Sequence, residues 1–398
     1  MLTKILLFTL IGILFGIITG LVPGIHINMV ATFLLTSYTF LSKYFQDTEL
    51  TALIVAMSIT HTFLDFIPST FLGAPSADTV LSLLPSHKYL MKGEGYKAVK
   101  ISIIGSLIGL IAIIITSPLL IFIIPPIYEV IKKHVGIILI FCSMFLIFKD
   151  KKKRLLSLLI FLLSGILGAY VLNINVKQPL LPLFTGLFGI SSLILSIFTE
   201  TKIPEQIITE PEFKAKKLLT TTLLAIVSST LTGFLPGLGS SQAAIISTST
   251  TKLNKKYYIF LIGGINIIVM IISFLALYTI QKSRNGIGIA IQGILENVSL
   301  TFILFFFCIA LITSGLAYYL GIKITKKFSI IANKINYPRV CKIVIFFSVF
   351  LVFIISGPIG LLILLTATSL GVITQILNIP RQHLMGCLIF PMIIFFVL

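Results

Sequence analysis

Two short stretches of this chain echo each other, and each cuts an apolar run too long and too poor in charge to fold in water. They are Gly20-Leu21-Val22-Pro23-Gly24-Ile25-His26-Ile27-Asn28 and Gly233-Phe234-Leu235-Pro236-Gly237-Leu238-Gly239-Ser240-Ser241. The runs that hold them, residues 5–42 and 218–251, contain no Lys, Arg, Asp or Glu. Pro-Gly breaks a helix, because Pro lacks an N–H and clashes with the preceding turn while Gly opens positive φ. Inside hydrocarbon a broken backbone survives only where it is buried in protein or lines a wet cavity. Paired breaks in corresponding positions of two halves point to the substrate site of a carrier.

Further uncharged runs cover residues 101–128, 155–176, 178–199, 257–281, 297–322 and 343–380. One crossing needs about 20 apolar residues, so the chain predicts about ten to twelve helical segments, some half-length. Hydrophobic residues make up 57% and charged ones 11%, with a mean hydropathy of +1.12, which excludes a soluble domain. The expected class is an all-α polytopic membrane protein with broken or re-entrant half-helices, multi-pass in the cell membrane. The Met1 end shows no cleavage-type motif, so residue 5 onward reads as a permanent span.

The net charge of +18 is topological. Lys and Arg concentrate in short loops, residues 88–100, 149–154 and 323–342, which stay on the cytoplasmic side. Nucleic-acid binding would need a soluble basic surface, and there is none. Cys142, Cys308, Cys341 and Cys387 are scattered without a CxxC pair, so neither a metal site nor a redox role is expected. Residues 200–217, polar and holding Pro204 and Pro211, read as a linker between a first repeat, 1–199, and a second, 218–398. A parallel second copy would put the lysines at 252–256 and the basic residues at 323–342 outside. An inverted copy puts both inside and is the better fit.

The helix that restarts after each break begins with N–H groups that have no intrahelical partner and carry the positive end of the dipole. They suit an anion such as a carboxylate. Pro23, Gly24, His26 and Asn28 in the first copy, and Pro236, Gly237, Gly239, Ser240, Ser241 and Gln242 in the second, are the candidate substrate-binding residues. One such motif alone is explained as a kink; the duplication argues for a site.

Asp65 stands in an apolar segment, where an ionised carboxylate costs roughly 3 kcal/mol or more and needs a partner or a task. His61 is four residues earlier and shares its helical face. The pair are candidates for cation coupling, with Na⁺ or a proton as coupling ion and no other cofactor. The plainer alternative is that the segment is shallow and Asp65 touches water. In the second half Asn266 stands at roughly the position of His61, and no acid matches Asp65. The 88–98 loop, with Gly93 and Gly95, is a topological turn and too short for a phosphate-loop fingerprint.

In this order the motifs resemble the membrane subunit (TctA-type) of the tripartite tricarboxylate transporters, in its archaeal form. That family carries Gly-x-x-Pro-Gly near the start of each half, matched by Gly20–Gly24 and Gly233–Gly237. Its Asn-x-Pro-Gly-Glu-x-Ser-Ser-x-x-Thr segment corresponds to Gly73-Ala74-Pro75-Ser76-Ala77-Asp78-Thr79. Its following loop corresponds to residues 88–98, and its Gly-Ser helix to Ile104-Gly105-Ser106-Leu107-Ile108-Gly109. The family's paired glycines are replaced by Thr60-His61-Thr62, and Pro-Gly-Glu by Pro75-Ser76-Ala77. The resemblance implies a secondary carrier of carboxylates and adds Ser76 to the substrate-binding set. It further implies a small-molecule anion as ligand, with a small membrane subunit, an extracytoplasmic binding protein and the lipid bilayer as partners. Homo-oligomerisation stays open. The alternative function is translocation of a phosphorylated lipid carrier, whose phosphate the same N–H groups would hold. An intramembrane enzyme is not expected, since HExxH and Gly-x-Gly-Asp are absent.

Overall fold

The computed structural model describes residues 2–22, 27–73, 79, 81–149, 153–198, 203–233, 239–283, 285–295, 297–332 and 337–397. Among them there is no strand. The first half comprises α1 (Leu2–Leu21), α2 (Ile27–Thr36), α3 (Tyr38–Leu41), α4 (Asp47–Leu64), α5 (Phe66–Leu72), α6 (Leu83–Leu90), α7 (Gly95–Lys132), α8 (Val135–Lys149) and α9 (Arg154–Asn173). Then come α10 (Leu180–Phe184), a π-helical turn (Thr185–Ile190) and α11 (Ser191–Phe198). The second half holds α12 (Ala215–Gly233), α13 (Ser240–Thr250), α14 (Lys255–Thr279), α15 (Gly286–Ile294), α16 (Leu300–Ile331), α17 (Tyr337–Ile376), a 3₁₀ turn (Arg381–Met385) and α18 (Gly386–Val397). Seven described helical spans are long and apolar enough to cross a bilayer, and three shorter apolar helices accompany them. This is a multi-pass membrane protein of all-α class.

Two spans form the centre. The most apolar stretch of α4–α5 is 100% buried and that of α14 is 94% buried, whereas the other five spans are buried over less than half. A helix that is apolar all round belongs in such a core. The outer helices turn their surplus Leu, Ile and Phe toward lipid, as do Ile115, Phe122, Leu155 and Phe346. Caps set the starts of the central helices. The Glu49 carboxylate accepts from the Gln46 N–H at 3.1 Å, with Asp47 also in the first turn of α4. The Asn254 Oδ1 accepts from the Tyr257 N–H at 3.1 Å at the start of α14.

With no hydrophobic drive between helices in lipid, small residues decide where backbones meet. α1 lies along α4 in the same direction: Gly12 abuts Leu53 and Ala56, Gly16 abuts Met57 and Thr60, and Gly20 abuts His61 and Leu64. α12 repeats this on α14, with Ala225 beside Gly264 and Gly233 against Ile272. Across the halves, α7 runs with α14 from Gly105 at Phe260 and Gly109 at Gly264 to the far end, where Lys282 lies over the Tyr128 ring. Its counterpart α16 runs with α4, Gly321 beside Leu64 and Phe328 beside Phe71. α4–α5 and α7 are antiparallel: Gly95 abuts Phe71, while Leu64 and Ile103 meet around Gly321.

The segment 203–214 forms no helix but is held in place. The Gln206 side chain accepts from the Gly95 N–H at 2.8 Å and donates to the Leu90 carbonyl at 3.1 Å. Glu210 pairs with Lys100, Phe213 packs with Ala98, Ile101, Ile259 and Phe260, and the Lys214 N–H donates to the Tyr257 hydroxyl at 2.9 Å. The segment thus ties the start of α7 to the start of α14. α17 holds a break of its own. Gly357, at φ 67° and ψ −166° before Pro358, splits it into two arms. Both arms pack on residues 180–198, where Leu181 and Ile190 cluster with Val352 and Leu364.

Candidate functional site

The first break begins where α1 meets the polar part of α4. The His61 Nδ1 lies 3.1 Å from the Thr19 hydroxyl, which in turn donates to the Gly16 carbonyl at 3.3 Å. Gly20, next in α1, has no room for a side chain, because a Cβ there would fall 2.9 Å from that of Leu64. The missing side chain lets α1 approach His61 at the point where its helix ends. His61 and Asp65 are each 6% exposed. Asp65 sits about 27 Å of helical rise beyond Asp47, at the turn between α4 and α5 and within the Asp47–Leu72 span. The turn at Asp65 that separates α4 from α5 has a local cause: Pro68 has no N–H to offer the Leu64 carbonyl. The Asp65 N–H still donates to His61 O at 2.9 Å, which keeps the two residues one turn apart.

The second break is followed by Gly239, whose N–H donates to the Gln242 Oε1 at 2.8 Å. Ser240, Ser241 and Gln242 form the first turn of α13, and each is 5% exposed or less. α13 folds back on α12, with the Ser247 hydroxyl donating to that of Ser228 at 2.7 Å. Among the described residues, a Cβ on Gly239 would meet nothing nearer than the Gln242 Oε1 at 3.8 Å. In the first half, α2 packs instead against α15, with Leu35 at Gly293.

Pro23, Gly24, His26, Ser76, Pro236 and Gly237 lie outside the described residues, as does the side chain of Asn28. Of the candidate set, the structure therefore brings together Thr19, His61 and Asp65 at one break, and Gly239, Ser240, Ser241 and Gln242 at the other. Thr19 is an addition to the candidate set, placed there by the packing of α1 on α4.

One expectation is corrected by packing register. Gly20 abuts His61, and the equivalent Gly233 abuts Ile272, so the counterpart of His61 is Ile272 and not Asn266. Asn266 lies six residues earlier on α14, is 5% exposed, and neither atom of its amide has a hydrogen-bond partner among the described residues. Leaving such a group unmet costs about 1–3 kcal/mol, a reason to expect a ligand or ordered water there. Seven residues on, Ser273 shares its helical face and accepts from the Asn285 amide at 3.2 Å. Asn285 also caps α15 through the Gly288 N–H at 2.8 Å. Among the described residues no three His, Cys, Asp or Glu side chains group to hold a metal.

Comparison with known proteins gives one family. Its model, described as the tripartite tricarboxylate transporter TctA family, matches residues 6–386. A relative, the uncharacterized protein MJ1079 of Methanocaldococcus jannaschii, is 32% identical over 404 residues, covering 98% of each chain. No solved structure matches.

Proposed function

The chain belongs to the tripartite tricarboxylate transporter TctA family, and from that membership we propose that it is a secondary-active carrier of organic carboxylates driven by a cation gradient. The family is one of transporters, which agrees with a non-enzymatic role, and it does not favour the alternative of a lipid-carrier translocase. The observation that carries the reading is the buried His61–Asp65 turn lodged against the end of α1, where the first Pro-Gly break begins. Substrate carboxylate is held by the first-turn N–H groups of the helices that restart after each break, with Ser240, Ser241 and Gln242 as neutral donors beside them. The coupling ion engages Asp65.

Residues 1–199 and 218–398 act as inverted repeats joined by a linker at 200–217. Support comes from helix directions. α1 runs with α4 and α12 runs with α14; α14 runs with α7, and α7 runs against α4. By that chain of contacts α1 and α12 point in opposite senses. Transport follows by rocking one repeat against the other around a fixed site. The tripartite family name implies an extracytoplasmic binding protein and a small membrane subunit as partners, which deliver the anion to this chain.

Reconstitution of the purified chain into vesicles tests the reading. Uptake of a labelled di- or tricarboxylate that rises with an imposed Na⁺ or proton gradient is expected. Exchange of a lipid phosphate with no carboxylate uptake would overturn it.

A further inference from the structure

The periphery holds a cation that the transport reading does not use. Arg381 opens the 3₁₀ turn between α17 and α18 and is half-buried. Its Nη1 donates to the Ser192 hydroxyl at 2.7 Å and its Nη2 to the Gln375 Oε1. Both partners are neutral, and both are locked as acceptors. The Ser192 hydroxyl spends its proton on the Phe188 carbonyl at 2.5 Å, and the Gln375 amide N–H donates to the Gly371 carbonyl at 3.2 Å. No carboxylate of the described residues pairs with the guanidinium. Two of its five N–H donors are therefore used and its charge is not neutralised. A partly desolvated cation in this state costs stability unless an anion completes it.

The surroundings say which anion. Lys153, at the α8–α9 turn, donates to the Leu377 carbonyl at 2.5 Å, which brings a second ammonium to the segment leading into Arg381. Arg154 lies over the Phe148 ring, 5.7 Å from its centroid. Around these cations the outward surface is apolar: Leu155 is 79% exposed, Ile376 63% and Phe148 54%. A soluble anion has no use for such a rim, whereas a phospholipid sets its acyl chains on it and its phosphate among the cations. We propose that Arg381, with Lys153 beside it, binds the phosphate of an anionic lipid head group at the edge of the α9–α11–α17 bundle. The planar fork of Arg381 matches two phosphate oxygens, and Ser192 and Gln375 hold the fork in position. This site is independent of the carrier reading and stands or falls separately from it.

The test uses the purified full chain in neutral detergent, titrated with phosphatidylglycerol or with phosphatidylcholine. Retained lipid is counted by native mass spectrometry, and the unfolding temperature is followed in parallel. Retention of phosphatidylglycerol in preference to phosphatidylcholine is expected, with a rise in unfolding temperature by mass action. Arg381→Gln should weaken phosphatidylglycerol binding roughly tenfold or more, the loss of a charge-assisted contact. If that variant does not fold, Arg381→Lys keeps the charge without the fork and should bind the lipid severalfold less tightly than wild type. Equal phosphatidylglycerol binding by wild type and by whichever variant folds would overturn the proposal. So would an Arg381-dependent stabilisation by inorganic phosphate or citrate as large as that by the lipid.

Discussion

In the proposed function Asp65 is the residue on which ion coupling rests. In the proposed scheme its carboxylate meets the coupling ion while His61 anchors its helix to Thr19. Asp65→Asn keeps the shape and removes the charge, so transport measured with and without the imposed ion gradient should become gradient-independent. Retention of full ion-driven uptake would show that Asp65 is not the coupling group. Asn266 yields a prediction of the opposite sign. Its unmet amide is buried on a 94%-buried span, so Asn266→Leu, close in volume, should raise the stability of the ligand-free protein by about 1–3 kcal/mol. Thermal unfolding in detergent checks this; a loss of stability would mean that the amide has partners. His61 and Asp65 were legible in the sequence because charge in an apolar run stands out. Thr19 and the orphaned state of Asn266 were not, since both depend on which face of one helix meets which face of another. The same register replaced Asn266 by Ile272 as the counterpart of His61.

At the scale of elements, glycine sets the closest contacts. Gly105 on α7 lies against the Phe260 backbone, and a Cβ on Gly109 would fall 2.9 Å from the Gly264 Cα. Backbone cannot move aside as a flexible side chain does, so Gly105→Val should cost about 1–3 kcal/mol by overpacking the α7–α14 seam. A lowered unfolding temperature with unchanged helix content by circular dichroism is the expected result, and an unchanged temperature would refute the seam. The apolar runs made the all-α, multi-pass class legible, because about 20 apolar residues per crossing is a strict constraint. Other breaks were not singled out. Gly357-Pro358 falls within the uncharged run 343–380, and the π-helical turn at Thr185–Ile190 carries no sequence signature. Both emerge from packing of α17 against residues 180–198.

For the whole molecule, the proposed inverted arrangement dictates which loops share a side of the membrane. The turn before α7, the segment 203–214 and the start of α14 are tied together by Glu210–Lys100, Gln206–Gly95 and Lys214–Tyr257 contacts. Single cysteines at Lys88 and Lys252 should therefore react with an impermeant maleimide from the same side, and one at Lys43 from the other. Labelling of Lys88 and Lys252 from opposite sides would refute the inversion. In the sequence the charge pattern argues for the same arrangement, because basic loops stay inside. It could not reveal that the linker is a strap, which depends on contacts spanning more than a hundred residues of chain.

The central claim is that an anion is held at the helix starts that follow the two breaks, and Gly239 offers the most direct way to test it. Its backbone is extended, at φ −137°, and among the described residues a Cβ there meets only the Gln242 Oε1 at 3.8 Å, so Gly239→Val clashes with none of them. The branched side chain would nevertheless stand in front of the first-turn N–H groups of α13. Unfolding temperatures of wild type and variant would be compared against di- and tricarboxylates, in Na⁺ and in choline. The account predicts the same ligand-free temperature for both proteins and a carboxylate-induced rise in wild type that the variant lacks. An equal rise in both would contradict it.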